Sequence, residues 1–157
     1  MNDEEQLKKR LTKHLQGGEA FTSLGHCIND IPFEKLGIRP HGLPYSIYEL
    51  FYHMYVAQAD ILDFCMADTY ESKQWPDEYW PKDQAPNHEE DWDNLKTNFF
   101  DDRNKLAEYL ERTNGDIMSI VKHGEDQSLL REVLLVIEHN AYHTGQLLVL
   151  CRLLDLK

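Results

Sequence analysis

Residues 128–154 read Ser128-Leu129-Leu130-Arg131-Glu132-Val133-Leu134-Leu135-Val136-Ile137-Glu138-His139-Asn140-Ala141-Tyr142-His143-Thr144-Gly145-Gln146-Leu147-Leu148-Val149-Leu150-Cys151-Arg152-Leu153-Leu154. This stretch decides the fold. Leu130, Val133, Leu134, Ile137, Ala141, Leu148 and Cys151 recur at helical spacing, and Ser128 is a good N-cap. The run is the richest apolar segment of the chain. Arg131, Glu132, Glu138, His139, His143 and Arg152 nevertheless interrupt it, which argues against a membrane span.

Working outward, the same periodicity predicts three more long helices. The first covers Asp3 to Gln16, with Leu7, Leu11 and Leu15 on one stripe and Gly17-Gly18 ending it. Ser46, with Glu49 three residues later, forms a capping box. The helix it opens carries Ile47, Leu50, Phe51, Met54, Ala57, Ile61 and Phe64 and ends near Ala67. The last of the three runs from Asp91 to about Asn114 through Trp92, Leu95, Phe99, Leu106, Tyr109 and Leu110, and Gly115 supplies its stop. A shorter helical piece is expected over Glu19 to Asn29, with Phe21, Leu24 and Ile28 on one side and Ile31-Pro32 breaking it.

Two long connections complete the chain. Residues 31–45 hold Pro32, Gly37, Pro40, Gly42 and Pro44 and read as an irregular crossing. Residues 68–88 contain Trp75-Pro76-Asp77-Glu78-Tyr79-Trp80-Pro81, whose aromatic side chains form either a lid packed on the bundle or a wall of a ligand pocket or dimer contact. No strand pattern, repeat or linker divides the chain. The expectation is an all-α protein, a four-helix bundle with two long connecting loops, forming a single domain over residues 1–157.

Composition narrows the function classes. With 41% hydrophobic and 28% charged residues the chain reads as globular. Its 16 basic and 28 acidic side chains leave a formal charge of −12, which repels phosphate backbones and disfavours nucleic acid as a partner. The start, Met1-Asn2-Asp3-Glu4-Glu5, has no apolar core of a signal peptide, and Cys27, Cys65 and Cys151 show no C-x-x-C spacing. Both features point to a cytoplasmic location without membrane or disulfide framework.

The chemistry concentrates in Glu138-His139-Asn140-Ala141-Tyr142-His143. Residues four apart lie one turn apart on one helical face, so the imidazoles of His139 and His143 can converge on one ion. By spacing alone the pair reads equally as two partly exposed polar residues. Val136, His139, His143, Gln146 and Leu150 share a stripe beside the apolar seam, where buried imidazoles need partners. His53 lies within the apolar periodicity of another helix, between Phe51 and Met54, and is the natural third ligand; His26 is an alternative. Three imidazoles without a fourth protein ligand match an open, catalytic-type site. Zinc or nickel fits best, and imidazole also suits copper and iron. Gln146, Asp60 and Glu49 are placed to support the ligands, although Glu49 is already explained by its capping box.

The protease variant of this pattern requires Glu directly after the first histidine. That position is Asn140, which cannot accept a proton, and Glu138 points about 100° away. No G-x-S-x-G, activated cysteine or Gly-rich phosphate loop is present.

At these residues the chain resembles the DinB/YfiT-like superfamily of metalloenzymes, within it a DinB-like subfamily of small bacterial proteins. Nearly the whole chain takes part. Leu15-Gln16-Gly17-Gly18-Glu19-Ala20, Gly42 to Leu50, His53, Ala57 to Leu62 and Trp75-Pro76 to Trp80-Pro81 carry the resemblance. Its most specific block is Leu130-Arg131-Glu132 through Leu147. The resemblance implies a four-helix bundle, often a homodimer, with one divalent metal held at the positions of His53, His139 and His143. Characterised members include bacillithiol-using transferases and mycothiol-dependent enzymes such as a maleylpyruvate isomerase. Phe21 and Tyr45 stand where relatives often have histidine, so substrate or activity can differ here.

The leading expectation is a metal-dependent enzyme acting on a small molecule by thiol transfer, with a low-molecular-weight thiol as partner. Alternatives are a metal-dependent hydrolase, a non-catalytic metal-binding, dimeric stress-response protein, and a bundle whose histidines are only buried and hydrogen-bonded.

Overall fold

Side chains at the helix starts set where each helix begins. In the computed structural model, which describes residues 2–157 and leaves Met1 outside, Asn2 caps α1 (Asp3–Gln16) through a capping box with Glu5. Ser23 caps the short α2 (Leu24–Ile28), and two single 3₁₀ turns follow at Phe33–Lys35 and Pro40–Gly42. Ser46 and Glu49 close the expected box on α3 (Ile47–Met66). His88 stands at the cap of α4 (Glu89–Arg112), and Ser128 caps α5 (Leu129–Leu153). Among the described residues the sheet-like pairing is limited to one isolated bridge, Ile120 to Ser128, so the fold is all-α.

Cross-contacts fix the directions of the helices. Lys8 Nζ donates to the Thr113 carbonyl at 2.7 Å, so α1 begins where α4 ends. Phe51 packs on Trp92 and Phe99, and Leu62 and Cys65 join Leu106 and Leu110, so α3 and α4 run the same way. Tyr45 meets Gln146, and His53 meets His139, so α5 runs antiparallel to α3. Parallel neighbours need a connection that retraces the length of a helix, here 20 residues or about 30 Å. Residues 67–88 make that return, which brings Tyr79 and Trp80 back along α3 to the level of His53.

The core is divided. One apolar cluster gathers Ile47, Leu50, Phe51, Met54, Trp92, Phe99 and Leu147, and a second gathers Leu11, Leu15, Leu62, Leu106, Leu110, Val133 and Val136. Each large side chain buried this way contributes about 1.5–3 kcal/mol. Between the clusters lies a polar layer with Gln58, Asn140 and Thr144. No helix among the described residues is long and apolar enough to cross a membrane.

Three sequence expectations change. The helix expected over Glu19–Asn29 is only Leu24–Ile28, because Gly17 and Gly18 take φ of 81° and 82° and the chain re-enters a helix only at the Ser23 cap. Phe21 falls outside it and is 46% exposed. The helix expected from Asp91 starts at Glu89, because the Asp91 carboxylate accepts the His88 backbone N–H at 2.9 Å and is thus its third residue. It also stops earlier, at Arg112 with Thr113 as cap, rather than at Gly115.

Candidate metal centre

His53 projects from the middle of α3, and His139 and His143 project from consecutive turns of α5. Because α3 and α5 are antiparallel neighbours, the three rings meet. His139 Nε2 lies 3.1 Å from His53 Nε2 and 3.1 Å from His143 Nε2. One ligand atom from each histidine lies within 4.8 Å of the others, so the group can hold a metal ion.

The outer ring nitrogens define what the inner ones can do. His53 Nδ1 faces the Tyr79 carbonyl at 3.2 Å, and His143 Nδ1 faces Gln146 Oε1 at 2.6 Å. Both partners accept only, so each Nδ1 carries its hydrogen and donates, which leaves the Nε2 of a neutral ring with a bare lone pair. At least two lone pairs therefore point at His139 Nε2, and one proton there cannot bond both in line. A cation at the convergence satisfies all of them. Nitrogens around tetrahedral zinc at 2.0–2.1 Å stand roughly 3.3 Å apart, close to the spacing found.

Electrostatics keeps the rings neutral. Burial, with His143 adding repulsion, lowers His53 to about 4 against the opposing Tyr79 hydrogen bond. Burial and the two neighbouring imidazoles lower His139 to about 3. Burial also lowers His143, opposed by Gln146. Neutral imidazole is the form that ligates metal.

The walls come largely from the returning loop. Trp80 stacks on the His53 ring at 4.2 Å between centroids and 3° between planes, and Tyr45 packs behind Trp80. Trp80 therefore acts as lid and wall at once, whereas Trp75 touches His53 edge-on and is 67% exposed. Asp60 holds the loop down, accepting Tyr79 Oη–H at 2.6 Å and Tyr70 Oη–H at 3.2 Å. Asp60 thus reaches His53 only through Tyr79. Gln146 contacts His143 directly and donates to the Tyr45 and Tyr142 hydroxyls at 3.4 Å each. Glu49 makes no bond to His53; its carboxylate is taken by Arg39 and by the Ser46 backbone N–H. Phe21 lines a small cavity beside Asn140 and Thr144, while Tyr45 joins the Gln146 side of the centre. His26 is exposed on α2 and His123 bonds the Ala67 carbonyl, both outside the group.

The model of the DinB superfamily matches residues 4–147, a span that includes all three histidines. The chain belongs to the DinB superfamily. No protein of curated function and no solved structure matches it. Superfamily membership and the histidine group together fit a metal-binding, enzyme-like protein.

Tyr79 was not legible as a site residue, because it acts through a backbone carbonyl, which every residue has. The one signal for it was the long aromatic connection itself.

Proposed function

We propose that this DinB-superfamily chain is a metal-dependent enzyme that transfers a thiol to a small electrophile, with zinc or nickel held by His53, His139 and His143. The observation that carries the reading is the convergence of the His53 and His143 Nε2 atoms on His139 Nε2, at 3.1 Å each, with the outer nitrogens of His53 and His143 committed to acceptors. A divalent ion bound there supplies Lewis acidity, which favours the deprotonated form of a thiol.

The chain's own residues provide the rest. Tyr79 and Gln146 fix the ring orientations, Trp80 shields His53 from water, and Asp60 latches the loop that carries both aromatic residues. In the transfer the sulfur lone pair forms a C–S bond to the electrophilic carbon. With an epoxide the C–O bond breaks, and the proton lost by the thiol ends on the oxygen released. Thiol transfer is favoured over peptide hydrolysis because the position directly after His139, where the general base of a zinc protease stands, is Asn140. Asn140, beside His139, donates its amide to Gln58 instead.

We also propose a homodimer, supported by Leu134, Val149 and Leu153 exposed on α5, and a reducing cytoplasmic setting, supported by three buried free thiols. Sedimentation of the tag-free chain as a monomer would remove the dimer.

Elemental analysis of tag-free protein tests the centre, with about one zinc or nickel per chain expected. Protein that carries no metal and whose melting temperature ignores added zinc and nickel would sink the proposal. The activity test is 2-mercaptoethanol with an epoxide: the expected rate depends on metal and vanishes in His139→Ala, and a metal-independent rate would remove thiol transfer.

A further inference from the structure

The three histidines do not present equal access. His53 is buried, its ring covered by Trp80 and its Nδ1 held by Tyr79. His143 is buried as well, and Gln146 holds its Nδ1. His139 is less buried and lines a groove of about 400 Å³ between α3 and α5. The groove continues along both helices from the histidine level, past Ala57 and Ile61 on α3 and Leu135 and Glu138 on α5, with Tyr142 at its side. Those α3 positions are four and eight residues beyond His53, hence on the same face. Ala57 opens the space, since a longer side chain there would fill it.

Its chemistry is one-sided. Ala57, Ile61 and Leu135 offer hydrocarbon, the charge among the lining residues is the Glu138 carboxylate, and no lysine or arginine lines it. Arg39 and Arg131, two of the chain's cations, are paired to Glu49 and Glu132. Around this groove lies a chain of formal charge −12. Along the groove itself, away from the histidine centre, an anionic group would find no protein countercharge, whereas an apolar group would remove hydrocarbon from water on both sides.

We propose that this groove selects the substrate: it takes an uncharged hydrocarbon group, aryl or branched alkyl, and directs the reacting atom of that molecule toward the histidine centre. The assignment rests on the reading of the centre as a metal site, and deepens it by naming the substrate class.

Two measurements on the full chain test it separately from that reading. The first needs no metal. Benzyl alcohol, titrated into metal-free protein, should shift the backbone amide resonances of Ala57, Ile61 and Leu135, and Ala57→Leu should abolish the response. Shifts located elsewhere, no shifts, or an equal response to succinate would overturn the groove. The second uses zinc-loaded protein and calorimetry with two neutral thiols, benzyl mercaptan and 2-mercaptoethanol. Benzyl mercaptan should bind roughly tenfold tighter or more, the discrimination a well-placed hydrocarbon group supplies. Ala57→Leu should erase that preference while zinc still binds one per chain. Equal or tighter binding of 2-mercaptoethanol would overturn the proposal. If zinc fails to bind, the metal reading falls and the benzyl alcohol titration alone decides the groove. If zinc binds and the thiols are not distinguished, the groove falls and the metal centre stands.

Discussion

Two polar clusters sit at the same level of the bundle, joined by adjacent residues of α5, and they are built on opposite logic. On one side Asn140 Nδ2 donates to Gln58 Oε1 at 3.0 Å, and Gln58 Nε2 donates to the Phe99 carbonyl at 2.8 Å. Donors meet acceptors along this chain of bonds, which ties α5 to α3 and α3 to α4 and leaves the Asn140 Oδ1 unpaired. On the other side His53 and His143 both aim bare Nε2 acceptors at His139 Nε2, with their own Nδ1 donors turned outward. A buried polar group that finds its partner within the fold is a structural joint, because leaving it unpaired would cost about 1–3 kcal/mol. A buried group whose surroundings are arranged to prevent pairing within the chain is held ready for something from outside. The neighbours Asn140 and His139 divide between these two roles, which is why Asn140 is spent on packing rather than on proton transfer.

The largest effect should come from His139→Ala. It is expected to reduce metal occupancy from about one per chain to background, by elemental analysis, while the far-ultraviolet circular dichroism of the bundle is kept. Full occupancy in this variant would break the contrast between the clusters. Metal-free His139→Ala should also be no less stable to urea than the metal-free parent, since it removes a half-buried imidazole that can bond only one of the two nitrogens facing it.

The next test uses the fact that only one cluster titrates. The folded values of about 4 for His53 and about 3 for His139 lie below the ordinary 6.5, so the unfolded chain binds protons that the native chain refuses. Stability of the metal-free protein is therefore complete above pH 6.5. It should fall as pH drops through 6.5, continuing to about 4 for His53 and about 3 for His139. His139→Ala should make that slope shallower in urea melts taken across the range. A metal-free parent with flat stability between pH 6.5 and 4 would contradict the burial of these rings.

The cluster of bonded amides should respond in the opposite manner. Gln58→Ala leaves the Asn140 amide without its acceptor and removes a second bond from the Phe99 carbonyl, which still accepts within α4, a loss of about 1–3 kcal/mol in urea unfolding. The loss should be equal at pH 7 and pH 5, with metal stoichiometry unchanged. Metal release on this substitution would mean that the two clusters are one network.

Much of this arrangement was legible because the local signals were strong. Ser46 with Glu49 and Ser128 are capping residues whose geometry leaves little freedom, and they located α3 and α5. Once these helices were placed, the spacing of His139 and His143 and the apolar neighbours of His53 brought the three imidazoles together. Where the chain depends on backbone conformation the reading weakened. Phe21, Leu24 and Ile28 have helical spacing, but Gly17 and Gly18 at positive φ keep residue 21 out of the helix. Asp60 was selected for its position on the face of His53, yet it acts through the Tyr79 hydroxyl on a loop whose path depends on α3 and α4 running parallel. That parallel relation is a tertiary fact with no local signature. The same holds for Trp80 against Trp75, which are alike in sequence context and different in burial.

The smallest effect, and the finest probe of the contrast, belongs to Gln146. It is the one amide that works on the histidine side, accepting from His143 Nδ1 at 2.6 Å while donating weakly to Tyr45 and Tyr142. Gln146→Leu keeps the volume and removes the acceptor. His143 then loses the bond that fixes its tautomer, so its Nε2 carries a proton part of the time and must release it before ligating. Loss of such an outer partner weakens metal binding by roughly 10–100-fold. Gln146→Glu sharpens the test, since a carboxylate is a stronger acceptor in the same place and should restore most of the affinity. Equal zinc affinity in parent, Gln146→Leu and Gln146→Glu, measured by competition with a chelator, would show that the ring of His143 is oriented by packing alone. The two clusters would then differ in what they bind but not in how they are held.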